Sequence, residues 1–266
     1  MSRPIIALLT DFGTADHYAG TMKGVVLGLC PDATLVDISH DIPPHDVMTA
    51  SIELAACYKY FPAGTIFLVV VDPGVGSTRR GLVAEAGDYR FVAPDNGVLT
   101  GVFQEQRPKR VIELTERRYA RPTVSRTFEG RDRFAPAAGW LARGTEPTAM
   151  GRPASTWQLL DVPAPKLAES VLEGQVVRVD RFGNLVSNID RRLFDQFRHD
   201  GAIRIAVNGQ SIDRLVATYA EAPIGQACAL FGSSEHLELA VNGGSAAELL
   251  HVGRGAGVRI DRAEPL

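Results

Sequence analysis

The residues of this chain best suited to chemistry stand around one turn. A β-branched run, Phe67 to Val71, ends at Asp72; Pro73, Gly74 and Gly76 follow, and then Arg79 and Arg80. A strand ending in a carboxylate places that charge at the C-terminal edge of a sheet, where open α/β folds bind ligands. The glycines let backbone come close to a ligand, and an arginine returning after the turn can hold the carboxylate in place. The same residues also fit an ordinary turn with a surface arginine pair, because a glycine-rich loop alone is a weak signal.

Four other segments repeat the pattern of polar groups at element ends. LLTDFGTADHYAG puts Asp11 directly after an apolar run, with Asp16 at the start of a helical stretch. Asp16 has the position of a helix cap, whereas Asp11 suits a pair of ribose hydroxyls in need of an acceptor. TFEGRDRFAPAAG gathers Glu129, Arg131 and Asp132 just before an apolar helix, which Asp132 is placed to cap. VDRFGNLVSNID brackets Phe182 and Gly183 with Asp180 and Asn184, and FGSSEHLELAVNGG carries Ser233, Ser234 and Asn242. An amide beside an aromatic ring can read a purine edge while the ring stacks on its face, although such segments are also plain hairpin turns. Asp95, Asn96 and Gly97 have the composition of a turn. No HExxH, CxxC, DxDxDG, GxSxG or Walker pattern occurs, so no metal site is indicated.

The elements that must position these groups alternate between strand and helix in the first half. Apolar runs at residues 5–9, 34–38 and 65–71 predict strands. Helical spacing predicts helices over 17–30, 46–60 and 134–142, with shorter strands and a small helix between 81 and 114. This is an α/β pattern with a central, mostly parallel sheet. Residues 151–170, rich in proline, read as a linker between a first domain over 1–150 and a second over 171–266. The second domain, with short β-type runs punctuated by Gly and Asn, predicts a smaller β-rich barrel or sandwich.

The chain has 266 residues, 45% hydrophobic and 22% charged, with a net charge of −3. That profile is globular and draws the protein to neither nucleic acid nor an anionic membrane. Cys30, Cys57 and Cys228 are far apart with small or apolar neighbours, which predicts reduced thiols in a cytoplasmic protein. The N-terminal apolar run is too short for a signal or a membrane span.

TDFGTADHYAG, ISHDIPPHDV, FPAGTIFLVVVDPGVGSTRR, VAPDNGVLT, TFEGRDRFAPAAG, VDRFGNLVSNI and GSSEHLELAVNGGSAAE occur in that order. Together they resemble the S-adenosyl-L-methionine (SAM) hydroxide adenosyltransferase family, the adenosine-forming SAM hydrolases related to fluorinase and chlorinase. The resemblance spans roughly residues 5 to 260 and both domains. It implies a homotrimer whose active sites lie between the first domain of one subunit and the second domain of the next. SAM would be the substrate, with no cofactor. By the same resemblance Asp11 accepts from the ribose hydroxyls, and Asp180 and Ser233, with Ser234 beside them and Asp16 in support, hold the methionine end. Asn184 reads the adenine edge, with Phe182 or Tyr219 as apolar surface. His45 stands where the halogenating relatives place an aromatic residue.

The implied reaction is attack of water or hydroxide on the ribose C5′, with methionine leaving. In the family an Asp, an Arg and a His grip the water. Asp72 and Arg79 match the first two, but the family's TFHGRD is TFEGRD here, so Glu129 stands in place of the His. Glu129 could serve as a base, pairing with Arg79 or Arg131, or it could add negative charge that disfavours hydroxide. Two alternatives follow: a SAM- or adenosine-binding protein without turnover, and a halogenase. The halogenases carry a tyrosine at the position of Asp72, and a halide beside a fixed carboxylate is repelled.

Overall fold

The computed structural model describes residues 3–198 and 202–262, so residues 1–2 and 263–266, at the outer ends of the two predicted domains, and residues 199–201 lie outside the described residues. The chain divides into two compact units, Met1–Asp161 and Val162–Leu266.

The first unit runs β1 (Ile5–Thr10), α1 (Tyr18–Leu29), β2 (Thr34–Ser39), α2 (Val47–Cys57), β3 (Ile66–Val70), β4 (Gly81–Ala86), β5 (Tyr89–Pro94), α3 (Thr100–Glu105), β6 (Pro108–Leu114), α4 (Ala135–Ala142) and β7 (Gly151–Pro153). Its sheet has the order β2-β1-β3-β5-β4-β6-β7. The first four strands in that order are parallel and the rest pair antiparallel. Every residue of β3 is buried, as expected of a parallel strand covered on both faces. The strand period of two divides its side chains. Leu68 and Val70 join Met22, Val26 and the helix α4, whereas Phe67, Val69 and Val71 join Leu54 and Val102 on the other face. The C-terminal ends of β1 and β3 are neighbours, with Thr10 opposite Val70. Asp11 and Asp72 therefore emerge side by side.

The proline-rich stretch is not a bare tether. β7 pairs with β6, Arg80 donates to the Thr156 carbonyl, and the Gln158 and Leu160 amides donate to Asp95 and Thr100. Hydrogen bonds thus tie the stretch to the first unit as far as Leu160.

The second unit comprises β8 (Lys166–Leu167), β9 (Val171–Val179), β10 (Leu185–Asp190), α5 (Arg191–Arg198), β11 (Ile203–Val207), β12 (Gln210–Ile212), β13 (Ala227–Phe231), β14 (His236–Val241), α6 (Ala246–Leu250) and β15 (Gly257–Arg262). Its antiparallel sheet is ordered β12-β11-β15-β9-β10-β14-β13, with β8 on β9. The segment after β12 folds back on β13: Ala229 donates to the Arg214 carbonyl and Val216 donates to that of Ala229. The sheet is thereby nearly closed into a barrel around Leu172, Val176, Leu185, Ile205 and Leu239. Phe194 and Phe197 of α5 also join this core, which explains a helix that has only those two large apolar anchors and one more half-buried leucine.

Candidate active site

Asp72 lies just past β3, and the chain turns back through Gly76, whose φ of +77° is a left-handed conformation. A Cβ at Gly76 would stand 2.4 Å from the Arg126 carbonyl oxygen, so only glycine lets the 72–79 turn lie against the 125–128 loop. The turn returns Arg79 to Asp72. Arg79 Nε donates to Asp72 Oδ1 at 2.9 Å, and Nη2 donates to Oδ2. The same Nη2 is 2.5 Å from Glu129 Oε2. Two carboxylate oxygens sharing one nitrogen at hydrogen-bond distance are about 5 Å apart or less, close enough for one water to touch both. The side chains of Asp72, Arg79 and Glu129 are 5%, 9% and 11% exposed, so this is a desolvated cluster and not a surface arginine pair.

Burial lifts the Asp72 carboxyl above its ordinary range; the bonds and charge of Arg79 pull it back, and the negative charge of Glu129 adds to the lift. Burial weakens the charged form of Arg79, but Asp72 and Glu129 outweigh it and hold its pKa raised. Arg79 Nη1 is buried without a hydrogen-bond partner among the described residues. Glu129 Oε2 is likewise buried without such a partner, its contact with Arg79 being an ion pair, so the cluster offers a small polar molecule both a donor and an acceptor.

Glu129 opens a five-residue π-helical turn, Gly130–Phe134, in which the Ala135 amide reaches back to the Gly130 carbonyl before α4 begins. Such turns are frequent at functional sites. The turn aims Glu129 at Arg79 and places the Phe134 ring beneath the Arg79 guanidinium, 5.2 Å from its centroid. Arg131 turns away from Glu129 and binds Asp132 with two 2.7 Å hydrogen bonds. Asp132 caps no helix: fully buried, it also accepts from the Ser125 amide at 2.8 Å and pins the 121–125 loop.

Asp72 and Glu129 face a cleft of about 610 Å³ shared with Asp11, His45, Phe12 and Tyr18. Asp11 Oδ2 accepts from the His45 amide at 2.8 Å. His45 has a φ of +68°, uncommon for a residue with a Cβ, and so its amide is directed at Asp11 by an unusual backbone conformation. The Asp11 turn is fixed from below as well. His40, buried, bonds Thr10 Oγ1 at 2.8 Å through its ring and accepts from the Gly13 amide through its carbonyl. Asp16 is exposed and is not the cap of α1, whose N-cap is His17 without a side-chain bond.

In the second unit, Asp180 Oδ1 accepts from the amides of Phe182 and Asn184, and Oδ2 accepts from Asn184 Nδ2, all at 2.9 Å. The turn buries Asn184 and leaves Phe182 76% exposed. Tyr219, half-exposed, donates to buried Glu238 at 2.8 Å. Burial and then the carboxylates of Glu238 and Asp180 push its phenol well up. Ser233 and Ser234 sit in the turn between β13 and β14. Sequence reasoning missed three groups: Arg133, which donates to Glu129 Oε1 at 3.2 Å, buried Glu238, and His40. The i,i+4 spacing of Glu129 and Arg133 was the available signal for the first. Among the described residues, no group of three or more His, Cys, Asp or Glu side chains is placed to hold a metal ion.

Paired buried carboxylates sharing one guanidinium, set at the edge of a parallel sheet and open to a cleft, are the equipment of an enzyme acting on a small molecule. Family models for the N-terminal and C-terminal domains of SAM hydroxide adenosyltransferase match residues 6–151 and 174–259, and the chain belongs to that family. An (R)-S-adenosyl-L-methionine hydrolase of Thermus thermophilus is 37% identical over 272 residues, covering 97% of this chain and 99% of its own. A fluorinase of an Actinoplanes species is 28% identical over 98% of both chains. The crystal structure of an uncharacterized conserved protein from Thermotoga maritima superposes with a TM-score of 0.91 at 35% identity, covering 97% of this chain and all of that one.

Proposed function

We propose that this protein hydrolyses SAM to adenosine and L-methionine. A water oxygen attacks the ribose C5′ as the C5′–S bond breaks, the bonding pair goes to sulfur, and methionine leaves as a neutral thioether. The water's proton passes to Asp72 and then to solvent. The sulfonium needs neither acid nor cofactor to depart, so catalysis consists of holding a poorly solvated oxygen in line. The observation that carries this reading is the buried cluster in which Arg79 binds both Asp72 and Glu129 beside the Asp11 cleft. An Asp72 carboxyl raised by burial is a better proton acceptor near neutral pH than an ordinary aspartate.

In this reading Asp11, already oriented by the His45 amide, takes the ribose hydroxyls. Asp180, Ser233 and Ser234, with Asp16, receive the methionine end, and Asn184 meets the adenine edge against Phe182 or Tyr219. The protein acts as a cytoplasmic homotrimer, the first unit of one subunit completing its site with the second unit of the next. Two carboxylates within about 5 Å of each other oppose a bound halide, which disfavours the halogenase reading. A protein that binds SAM without turnover is the remaining alternative.

Incubation with SAM in ¹⁸O-water, followed by mass spectrometry of adenosine and methionine, decides between them. Heavy oxygen in adenosine is the expected result. Tight SAM binding without adenosine would replace hydrolysis by sensing.

A further inference from the structure

We infer that Arg133 is a positioning residue of the hydrolytic site, fixing the Glu129 carboxylate and balancing its charge so that it can stand beside Asp72. The inference rests on the function proposed above.

Asp72, Arg79, Glu129 and Arg133 form one line of alternating charge. Glu129 Oε2 faces Arg79, while Oε1 accepts from Arg133 Nη1 at 3.2 Å. Arg133 is itself anchored at the far end, with Nη2 donating to the Leu114 carbonyl at 2.7 Å. That backbone contact sets the guanidinium independently of Glu129, so Arg133 holds the carboxylate and does not merely follow it. With Arg133 in place, two carboxylates meet two guanidiniums. Without it, two buried carboxylates share the single charge of Arg79, and a nucleophile with any hydroxide character is repelled.

One turn of chain builds this arrangement. Glu129 begins the π-helical turn, Arg133 lies four residues on, and Phe134 supports the Arg79 guanidinium. Glu129 is also a shared wall. It borders the front cleft with Asp11 and Asp72, and behind it a chamber of about 270 Å³ that Arg133, Arg117, Tyr119 and Arg121 line. The guanidinium acts on Glu129 from that rear chamber, on the side away from Asp72. The chamber is large enough to admit a free guanidinium ion in place of a truncated side chain.

The test is a cycle of Arg133→Ala, Glu129→Gln and the double variant, assayed for adenosine formation. Arg133→Ala is expected to lower kcat about 10- to 100-fold while KM for SAM stays within about threefold, the size of effect seen when the partner of a site ligand is lost. Guanidinium chloride, below the concentrations that unfold the chain, is expected to restore part of that kcat. In the Glu129→Gln background the same truncation should change kcat less than about twofold, because a neutral amide needs no balancing charge. Equal losses in both backgrounds, or an unchanged kcat in Arg133→Ala, would overturn the inference. If Arg133→Ala fails to fold by circular dichroism, Arg133→Lys takes its place. It keeps the charge but loses the two-ended grip, so it should lower kcat more with Glu129 present than in the Glu129→Gln background, and equal losses in the two would overturn the inference. Absence of turnover in the unsubstituted protein would overturn the function proposed above and this inference with it. Turnover there, with an indifferent Arg133, overturns this inference alone.

Discussion

The two units present their candidate site residues in opposite ways. In the first, Asp72, Arg79 and Glu129 are bonded to one another and almost withdrawn from water. In the second, Asp180 spends its hydrogen bonds on its own turn, and the Phe182 ring stands out into solvent. A desolvated cluster of charges costs stability unless every member is paired, so its geometry must be built before any ligand arrives. An exposed ring over a rigid turn costs little in the free protein and gains its energy only on contact. In the function proposed above, bond-making belongs to the first unit, which also holds the ribose at Asp11, and recognition of the adenine falls to the second.

That division breaks most readily at Asp72. Asp72→Asn keeps the shape but removes the proton acceptor, and kcat is expected to fall by about 10²- to 10⁴-fold while SAM affinity, measured by calorimetry, changes little. Arg79→Met should be felt in the fold itself. It leaves two buried carboxylates without their shared cation, and urea titration should show a loss of about 3–5 kcal/mol. An unaltered urea midpoint would mean that the cluster is solvated after all. In the second unit, Gly183 has a φ of +84°, and a Cβ there would lie 2.1 Å from Ser245 Oγ. Gly183→Ala should destabilise the protein by about 1–3 kcal/mol, through strain and overpacking, which thermal unfolding reads. Phe182→Ala should leave the unfolding midpoint in place and raise KM for SAM about tenfold, the loss of one ring stacked on a base. A fall in kcat with constant KM would place Phe182 on the wrong side of the division.

The smallest effect expected is a displacement along the pH axis. Burial raises the Asp72 carboxyl above its ordinary 3.8, and the charge of Glu129 adds to the rise. As pH falls, Asp72 takes up its proton early, and kcat/KM should decline at a pH above 3.8. Glu129→Gln removes the like charge, so the acid limb should move to lower pH. Movement the other way would show that Glu129 does not act on Asp72 as a neighbouring anion.

The framework of the first site was legible because it follows from strand ends. Apolar runs marked β1 and β3, and the polar residue closing each one, Asp11 and Asp72, had to emerge at the sheet edge. Arg79 was legible through the glycine turn that brings it back. The function of Asp132 was not, since its partners Ser125 and Arg121 come from a loop without periodicity. Arg133 was hidden for a similar reason. A charged residue inside an apolar helical stretch reads as a solvated face until the Leu114 carbonyl is seen to hold it. In the second unit, β10 follows directly on the Asp180 turn, and α5, although Leu193, Phe194 and Phe197 share one face, is only eight residues long, shorter than the window over which a helical period is read.

The hydrogen bonds between residues 156–160 and the first unit set the practical limits of a fragment. A polypeptide ending at residue 150 would remove one hydrogen bond each from Arg80, Asp95 and Thr100, leaving the Arg80–Asp95 pair more exposed, and would uncover the Phe103 ring, which packs against Trp157 with 5.6 Å between centroids. A soluble first unit for isotope labelling or crystal growth therefore needs its stop codon after Asp161.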